Sequence, residues 1–173
     1  HPEYQKIAIL LSGDIGFYSG AKKMLDLFGD YQTKVYSGIS SVVYFCGKLH
    51  TSWEDVHLMS LHGREQNLIA AVKRHKKVFA LIGQQEGVNQ VCRDLCSYGL
   101  SEVMVYTGED LSYANERIRS GTAQSMLEET FEKLSVVLIE NPEASMVVTH
   151  GIWDEAFLRD KVPMTKSEVR SIS

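Results

Sequence analysis

Five short segments rich in apolar residues alternate along the chain with segments whose apolar residues recur at helical spacing. The first, residues 6–11, is continuously apolar, which is typical of a strand buried on both faces of a sheet. Residues 56–61, 77–82, 102–107 and 135–140 predict further strands, and 34–36 and 116–119 predict short ones. Helices are predicted over 21–28, 41–49, 67–75 and 88–98, with another capped at Thr122 and Gly99 as a helix stop. This alternation predicts an α/β fold with at least partly parallel sheets.

The size and net charge of the chain limit the kinds of molecule that it is expected to bind. The chain has 173 residues, enough for one domain or two small ones. Its 18 Lys and Arg against 22 Asp and Glu give a net charge of −4, which argues against nucleic acid as the main partner. A local cluster of cations can still bind an anionic small molecule. No apolar run reaches the roughly 18–20 residues needed to span a membrane, and no signal-peptide pattern is visible.

The cysteines and histidines predict neither disulfides nor a metal site. Three cysteines without a C-x-x-C pair make a poor disulfide framework, and Cys92 and Cys96 are four apart in a predicted helix, so both can face one core. Reduced, buried thiols are therefore expected, and no metal is. Four histidines lack ligand spacing and are interpreted as structural or exposed: His50, His57, His75 and His150.

Two glycine-containing breaks are candidate ligand loops. Ser12-Gly-Asp-Ile-Gly-Phe17 follows the first predicted strand, where ligands of open α/β sheets bind. Gly13 lets a ligand approach the backbone and Asp14 offers an acceptor, although an ordinary strand-to-helix turn explains the residues equally well. The pattern is neither G-x-G-x-x-G nor a P-loop. In the second break, Ser40 and Ser41 can cap a helix or bind a ligand, and capping is the commoner role.

A third loop, His62-Gly63-Arg64, follows the strand that ends at Leu61. Arginine binds carboxylates in bidentate fashion, and the alternative is a solvated loop. No nucleophile arrangement stands out, so catalytic residues are unassigned. Three acidic residues in predicted loops are possible acid-base groups or simply solvated: Glu86, Glu109 and Asp110.

Four segments in register resemble the tetrapyrrole methylase family. Ser12-Gly-Asp-Ile-Gly-Phe-Tyr18 is similar to its S-G-D-P-G-F-Y loop, and Ser37-Gly-Ile-Ser-Ser-Val42 to its P-G-I-S-S-V segment. Ser60-Leu-His-Gly-Arg64 resembles the branch that acts at C5 of the corrin precursor, and Ser135-Val-Val-Leu-Ile-Glu-Asn-Pro142 resembles the last strand. Ile15 and Ser37 stand where the family usually has proline.

The resemblance implies a two-lobed α/β fold and a cytoplasmic homodimer that binds S-adenosyl-L-methionine between its lobes. It implies C5 methylation of precorrin-6B or cobalt-precorrin-7 in cobalamin biosynthesis, by direct methyl transfer without a covalent enzyme intermediate. Cofactor contacts carried over by motif are Gly13, Asp14, Phe17, Ser40, Ser41 and Ile82. His62 and Arg64 are carried over as residues that hold carboxylates of the corrinoid tetrapyrrole substrate.

The resemblance also divides the chain. Residues 1–36 are expected to be the remainder of an N-terminal α/β lobe whose first strands and glycine-rich loop are missing from this chain, and 37–143 a C-terminal α/β lobe. Residues 144–173 are expected to be a linker and the start of a C15-methyltransferase/decarboxylase domain, because Trp153-Asp-Glu-Ala-Phe157 and Val162–Arg170 resemble the opening of that domain. A chain so truncated is expected to bind the cofactor weakly or not at all.

Two alternatives remain open from the sequence. One is a methylase of the same fold that acts on another tetrapyrrole or on a protein side chain. The other is a non-catalytic module that mediates dimerisation or docks the C15 domain.

Overall fold

A computed structural model describes residues 6–62, 66–83, 87–145 and positions 165, 166 and 169. Its core is a five-stranded sheet with helices on both faces. In chain order the elements are α1 (Ala21–Leu27), α2 (Ser41–Lys48), β1 (His57–Ser60), α3 (Leu68–Arg74), β2 (Lys77–Ile82), α4 (Gly87–Ser97), β3 (Met104–Glu109), β4 (Arg117–Thr122) and β5 (Ser135–Glu140).

The strand order β1-β2-β5-β3-β4 makes the sheet mixed. β1 and β2 pair in parallel, whereas β5 is antiparallel to both β2 and β3, and β4 is antiparallel to β3. β1, β2 and β3 therefore run in the same direction, and their carboxyl ends share one edge, called here the carboxyl edge. Ile82 and Glu109 lie at this edge on either side of Ser135, with which both pair. The predicted partly parallel sheet is confirmed.

Each face of the sheet has its own apolar core. On one face, α3 and α4 cover the inward side chains of β2 and β5, with Val72, Leu95 and Val137 fully buried. On the other face, α2 covers the alternate residues of the same strands, among them Phe79 and Leu138. Burial on both faces explains why β2 and β5 are nearly uninterrupted apolar runs.

Side-chain caps fix where two helices begin. The Ser40 hydroxyl accepts a hydrogen bond from Val43 N at 3.4 Å, and Asn67 Oδ1 accepts one from Ala70 N at 2.9 Å. Each satisfies an amide that has no partner within its helix. After α4, Gly99 takes a positive φ of 76°, which a glycine adopts without steric cost. The predicted helices over 21–28, 41–49, 67–75 and 88–98 are confirmed to within one residue at every end.

Three predicted elements are wrong. Residues 6–11 and 34–36 form no strand, and Leu10 and Tyr36 are 94% and 82% exposed. An apolar run becomes a buried strand only when a neighbour satisfies its backbone, and no described strand pairs with these residues. After Thr122 the chain forms turns instead of a helix, because Thr122 itself belongs to β4; its Oγ1 accepts from Ser125 N at 3.1 Å.

The thiols behave as expected from their spacing. Cys46 and Cys92 are buried, Cys96 is half-buried against the same core as Cys92, and none forms a disulfide. Burial raises the pKa of the Cys92 thiol to about 11. Within the described ranges, no helix is long and apolar enough to cross a membrane.

Candidate functional site

The two glycine-containing loops pack directly against each other. Gly13 has a φ of +74°, and a Cβ added at Gly38 would lie 2.5 Å from the Gly13 carbonyl oxygen. This distance is too short for a Cβ atom, so only glycine at position 38 allows the two loops to approach so closely. Residues 12–17 and 37–41, which are at least 20 positions apart in the chain, therefore form one surface.

Asp14 shapes its own loop. Its Oδ1 accepts from Gly16 N at 2.6 Å, and Phe17 N donates to the Asp14 carbonyl at 3.2 Å. This is the Asx-type turn that aspartate favours. Among the described residues, none donates to the second carboxylate oxygen, so the turn role and a ligand role are compatible.

Phe17 anchors the same loop to the sheet. Its ring lies 5.9 Å from the Phe79 ring and 5.0 Å from the Tyr18 ring, both edge-on. The Tyr18 hydroxyl donates to the Leu58 carbonyl at 3.4 Å. The loop thus rests on β1 and β2 on the face covered by α2, with Phe17 half-buried in that core.

The remaining predicted cofactor residues differ in their surroundings. Ser40 is buried and caps α2, whereas Ser41 is half-buried as its first residue. Both lie beside Gly38 in the second loop. The Ile82 side chain is buried in the core under α3 and α4, on the opposite face of the sheet. The structure therefore brings Gly13, Asp14, Phe17, Ser40 and Ser41 together and separates the Ile82 side chain from them.

His62 lies at the carboxyl edge, directly over Gly83. A Cβ at Gly83 would overlap the imidazole, with Nδ1 the nearest atom. Gly83 also lines a cleft of about 400 Å³ between the start of α3 and the length of α4. Its other described lining includes Leu61, Ile82 and Asp94. Arg64, the second predicted substrate residue, lies outside the described residues, as does Glu86.

A buried ion pair at this edge was not predicted from the sequence. Glu109, assigned to a loop, is the last residue of β3 and is fully buried. Its Oε1 accepts two hydrogen bonds from the Arg119 guanidinium, at 2.7 and 3.1 Å. Its Oε2 accepts from Glu132 N at 2.8 Å. The placement of Glu109 in a solvated loop is thus wrong, because β3 continues two residues beyond its predicted end at Thr107.

Arg119 also organises the chain that leads into β5. Its guanidinium bonds Glu129 at 2.9 Å and the Thr130 carbonyl at 2.5 Å, and it lies 4.4 Å from the centre of the Phe131 ring. One side chain thus ties β4 to β3 and to residues 129–131. No sequence spacing signals these contacts.

Two further groups were also missed. The His57 and His75 rings stack at 4.1 Å, nearly parallel, and burial together with the neighbouring His75 lowers the pKa of His57. Glu116 binds Ser112 N, the Tyr44 hydroxyl and Lys48.

Across the described part of the chain no cluster of His, Cys, Asp or Glu has metal-ligand geometry.

Comparison with known proteins places these loops in a family. Residues 2–127 match the model of the Tetrapyrrole (Corrin/Porphyrin) Methylases. The chain belongs to this family. The probable cobalt-precorrin-7 C(5)-methyltransferase of Methanocaldococcus jannaschii is 33% identical, over 80% of this chain and 67% of that protein. The cobalt-precorrin-7 C(5)-methyltransferase of Salmonella typhimurium is 30% identical, over 78% of this chain and 66% of that protein. This methylase chain thus spans about two thirds of these relatives' length.

Solved structures agree with the tetrapyrrole methylase assignment at the level of fold. The precorrin-6Y methylase of Archaeoglobus fulgidus superposes with a TM-score of 0.50 at 20% identity, over 74% of this chain and 59% of that one. The uroporphyrin-III C-methyltransferase of Thermus thermophilus, solved with S-adenosylhomocysteine, gives 0.57 at 14% identity, over 74% and 60%. The predicted family and methylase fold are confirmed. The division at residues 36 and 143 stays a prediction.

Proposed function

We propose that the full-length protein is an S-adenosyl-L-methionine-dependent methyltransferase that methylates C5 of a corrin precursor, precorrin-6B or cobalt-precorrin-7, in cobalamin biosynthesis. Two curated relatives with this C5 activity in their names share 30–33% identity with most of the chain. Homodimeric assembly, a cytoplasmic location and a fused or partner C15-methyltransferase/decarboxylase domain belong to the same proposal and rest on the family resemblance.

One observation carries the cofactor part: the backbone contact between Gly13 and Gly38. It packs the two glycine-containing loops together beside a carboxylate and two serines, an arrangement of backbone and polar groups that fits a small polar ligand. Asp14 has a second oxygen for a hydroxyl or ammonium donor, and the Ser40 hydroxyl keeps its proton for donation while it accepts from Val43 N.

The methyl donor supplies an electrophilic sulfonium, and the residues of this chain bind and align. Gly13, Asp14 and the serines hold the donor, Phe17 fixes their loop to β1 and β2, and His62 and Arg64 hold substrate carboxylates. Alignment of donor and acceptor can account for about 7–11 kcal/mol of a barrier. Transfer of the methyl group to a nucleophilic carbon of the substrate needs no nucleophile from the enzyme. This agrees with the sequence, in which no catalytic nucleophile is assigned.

Titration calorimetry of the full-length protein with S-adenosylhomocysteine tests this assignment. We expect Asp14→Ala to weaken binding about tenfold, the effect of one lost charged hydrogen bond. Asp14→Asn retains an acceptor for Gly16 N, so it separates loss of charge from loss of the turn. Asp30→Asn, an exposed carboxylate outside the loop, is the matched control. If a folded Asp14→Ala protein binds S-adenosylhomocysteine normally, Asp14 has only a structural role in its turn.

Substrate identity needs a separate assay. The full-length protein is incubated with labelled S-adenosylmethionine and cobalt-precorrin-7, and the labelled carbon is located by NMR. Methylation at C5 is expected. Label on another carbon, or transfer only to a different tetrapyrrole, would contradict the C5 assignment while leaving the methylase family intact.

A further inference from the structure

Any side chain at position 83 would displace the imidazole of His62, which packs against Gly83. Gly83 follows β2 directly at the carboxyl edge, and a Cβ there would overlap Nδ1 of His62, with Cγ and Cε1 the next nearest atoms. The imidazole therefore covers the Gly83 Cα with its Nδ1 side. Because Nε2 lies across the ring from this side, it is directed away from Gly83.

The surroundings connect this contact to a binding surface. Gly83 lines the cleft of about 400 Å³ between α3 and α4, and Leu61, the residue before His62, lines it as well. His62 itself is exposed. Its ring thus packs against the backbone of Gly83, a residue that lines the cleft, and remains accessible to solvent.

A flexible exposed histidine would lose rotamer freedom on binding a ligand, and this loss weakens binding. A ring already seated on Gly83 has lost part of this freedom. Among the described residues of the cleft lining, Asp94 carries the only carboxylate and none is a Lys, Arg or His. The described lining therefore supplies no cationic side chain, whereas the adjacent His62 imidazole can donate an N–H to a carboxylate, alongside Arg64 of the same loop, which lies outside the described residues.

We propose that Gly83 is a positioning residue for the substrate: its lack of a side chain seats the His62 imidazole so that Nε2 donates a hydrogen bond to a carboxylate of the corrinoid. This inference rests on the proposed function and names the pair of residues that sets substrate affinity at this edge.

A double-mutant cycle in the full-length protein tests the pair. The variants are His62→Ala, Gly83→Ala and the double variant, each assayed for corrinoid KM, kcat and S-adenosylhomocysteine Kd. We expect each single change to raise KM about tenfold, the cost of a lost hydrogen bond to a charged group, with kcat and Kd unchanged. The double variant should be no worse than His62→Ala, because Gly83 acts only through the ring.

Two further variants complete the test. Gly47→Ala is the matched control, since a Cβ at this helical glycine meets nothing within 4 Å, and its KM should equal that of the wild type. His62→Gln keeps a donor and should recover part of the affinity. If Gly83→Ala alone fails to fold, the double variant, which removes the overlap, should fold.

The outcomes separate the two proposals. A normal KM for His62→Ala, additive effects in the cycle, or a selective loss of S-adenosylhomocysteine affinity would each overturn the positioning role. Absence of C5 methyl transfer by the wild type would instead overturn the proposed function, and the wild-type measurement reveals this before any variant is compared.

Discussion

Among single residues, Arg119 makes the most extensive contacts at the carboxyl edge. It reaches the fully buried Glu109 and, on the other side, Glu129 and the Thr130 carbonyl. Its own side chain is 23% exposed, whereas that of Glu109 is inaccessible to solvent. Glu109 is therefore a buried carboxylate whose charge is balanced by one partner, and loss of that partner is more costly than loss of an exposed ion pair.

Arg119→Met tests this asymmetry. We expect it to lower the free energy of unfolding by about 3–5 kcal/mol, because the Glu109 carboxylate is left without its cation. Urea denaturation measures the change. Arg117→Met, an exposed arginine two positions earlier on β4, is the control and should cost little. Adding Glu109→Leu to Arg119→Met should restore much of the loss; an additive result would mean that water reaches Glu109.

Glu116 gives a pH-dependent contribution to stability. Donation from Ser112 N, the Tyr44 hydroxyl and Lys48 Nζ lowers the pKa of Glu116 from 4.5 to about 2. Because the carboxyl has the lower pKa in the folded state, the stabilisation is fully present above pH 4.5 and is lost as the pH falls towards 2. The donors come from α2 and from the loop between β3 and β4, so the charge also joins these two segments.

Glu116→Gln should remove this dependence. The difference in unfolding free energy between wild type and variant is expected to be constant near neutral pH and to shrink as the pH falls from 4.5 towards 2. Denaturation at a series of pH values measures it, with the exposed Glu128→Gln as control. A difference that stays constant down to the acid limit would show that the neighbouring donors do not act on the charge.

At the scale of helices and strands, the elements that the sequence predicts correctly are those whose signals are local. β2 and β5 are apolar runs of one strand's length, and their predicted bounds match the structure residue for residue. Residues 6–11 carry the same local signal without a described pairing partner, so the prediction failed there. The contacts of Gly83 with His62 and of Gly13 with Gly38 depend on the fold, and spacing along the chain does not contain them. The motif resemblance covers His62, Gly13 and Gly38 but not Gly83, and it does not indicate which of these residues touch.

The N-cap of α3 is a local signal whose strength can be measured. Asn67→Ala should lower the free energy of unfolding by about 0.5–2 kcal/mol, since the Ala70 amide loses its acceptor. Asn67→Asp keeps an acceptor and should retain most of the stability. Thermal and urea denaturation of both variants check this. Equal losses in the two would show that Asn67 stabilises α3 by something other than its side-chain oxygen.

Over the whole molecule, stability is unevenly distributed. The sheet and its helices hold the two apolar cores, whereas residues 31–39 form no regular structure and are exposed throughout. Several large apolar side chains in the first 40 residues are more than two-thirds exposed: Ile7, Leu10, Leu27, Tyr31, Tyr36 and Ile39. Local opening is easiest where backbone hydrogen bonds and buried contacts are few.

Hydrogen exchange of this 173-residue chain should reproduce that division. We expect the amides of β5, the central strand of the sheet, to exchange most slowly, and those of residues 31–39 to exchange fastest. Mass spectrometry of peptic fragments measures the rates, with the same chain in urea as the reference. Comparable protection of residues 31–39 and β5 would contradict the described exposure.

The position of β5 in the middle of the sheet has a consequence for synthesis on the ribosome. β5 is the last strand of the sheet to be translated, yet β2 and β3 meet only through it. Until residues 135–140 emerge, the nascent chain can form β1–β2 and β3–β4 only as separate strand pairs, each with a bare inner edge. Two-stranded units are marginally stable, and open apolar edges recruit other chains. The complete sheet therefore forms only after residues 135–140 are available, when insertion of one strand closes both inner edges together.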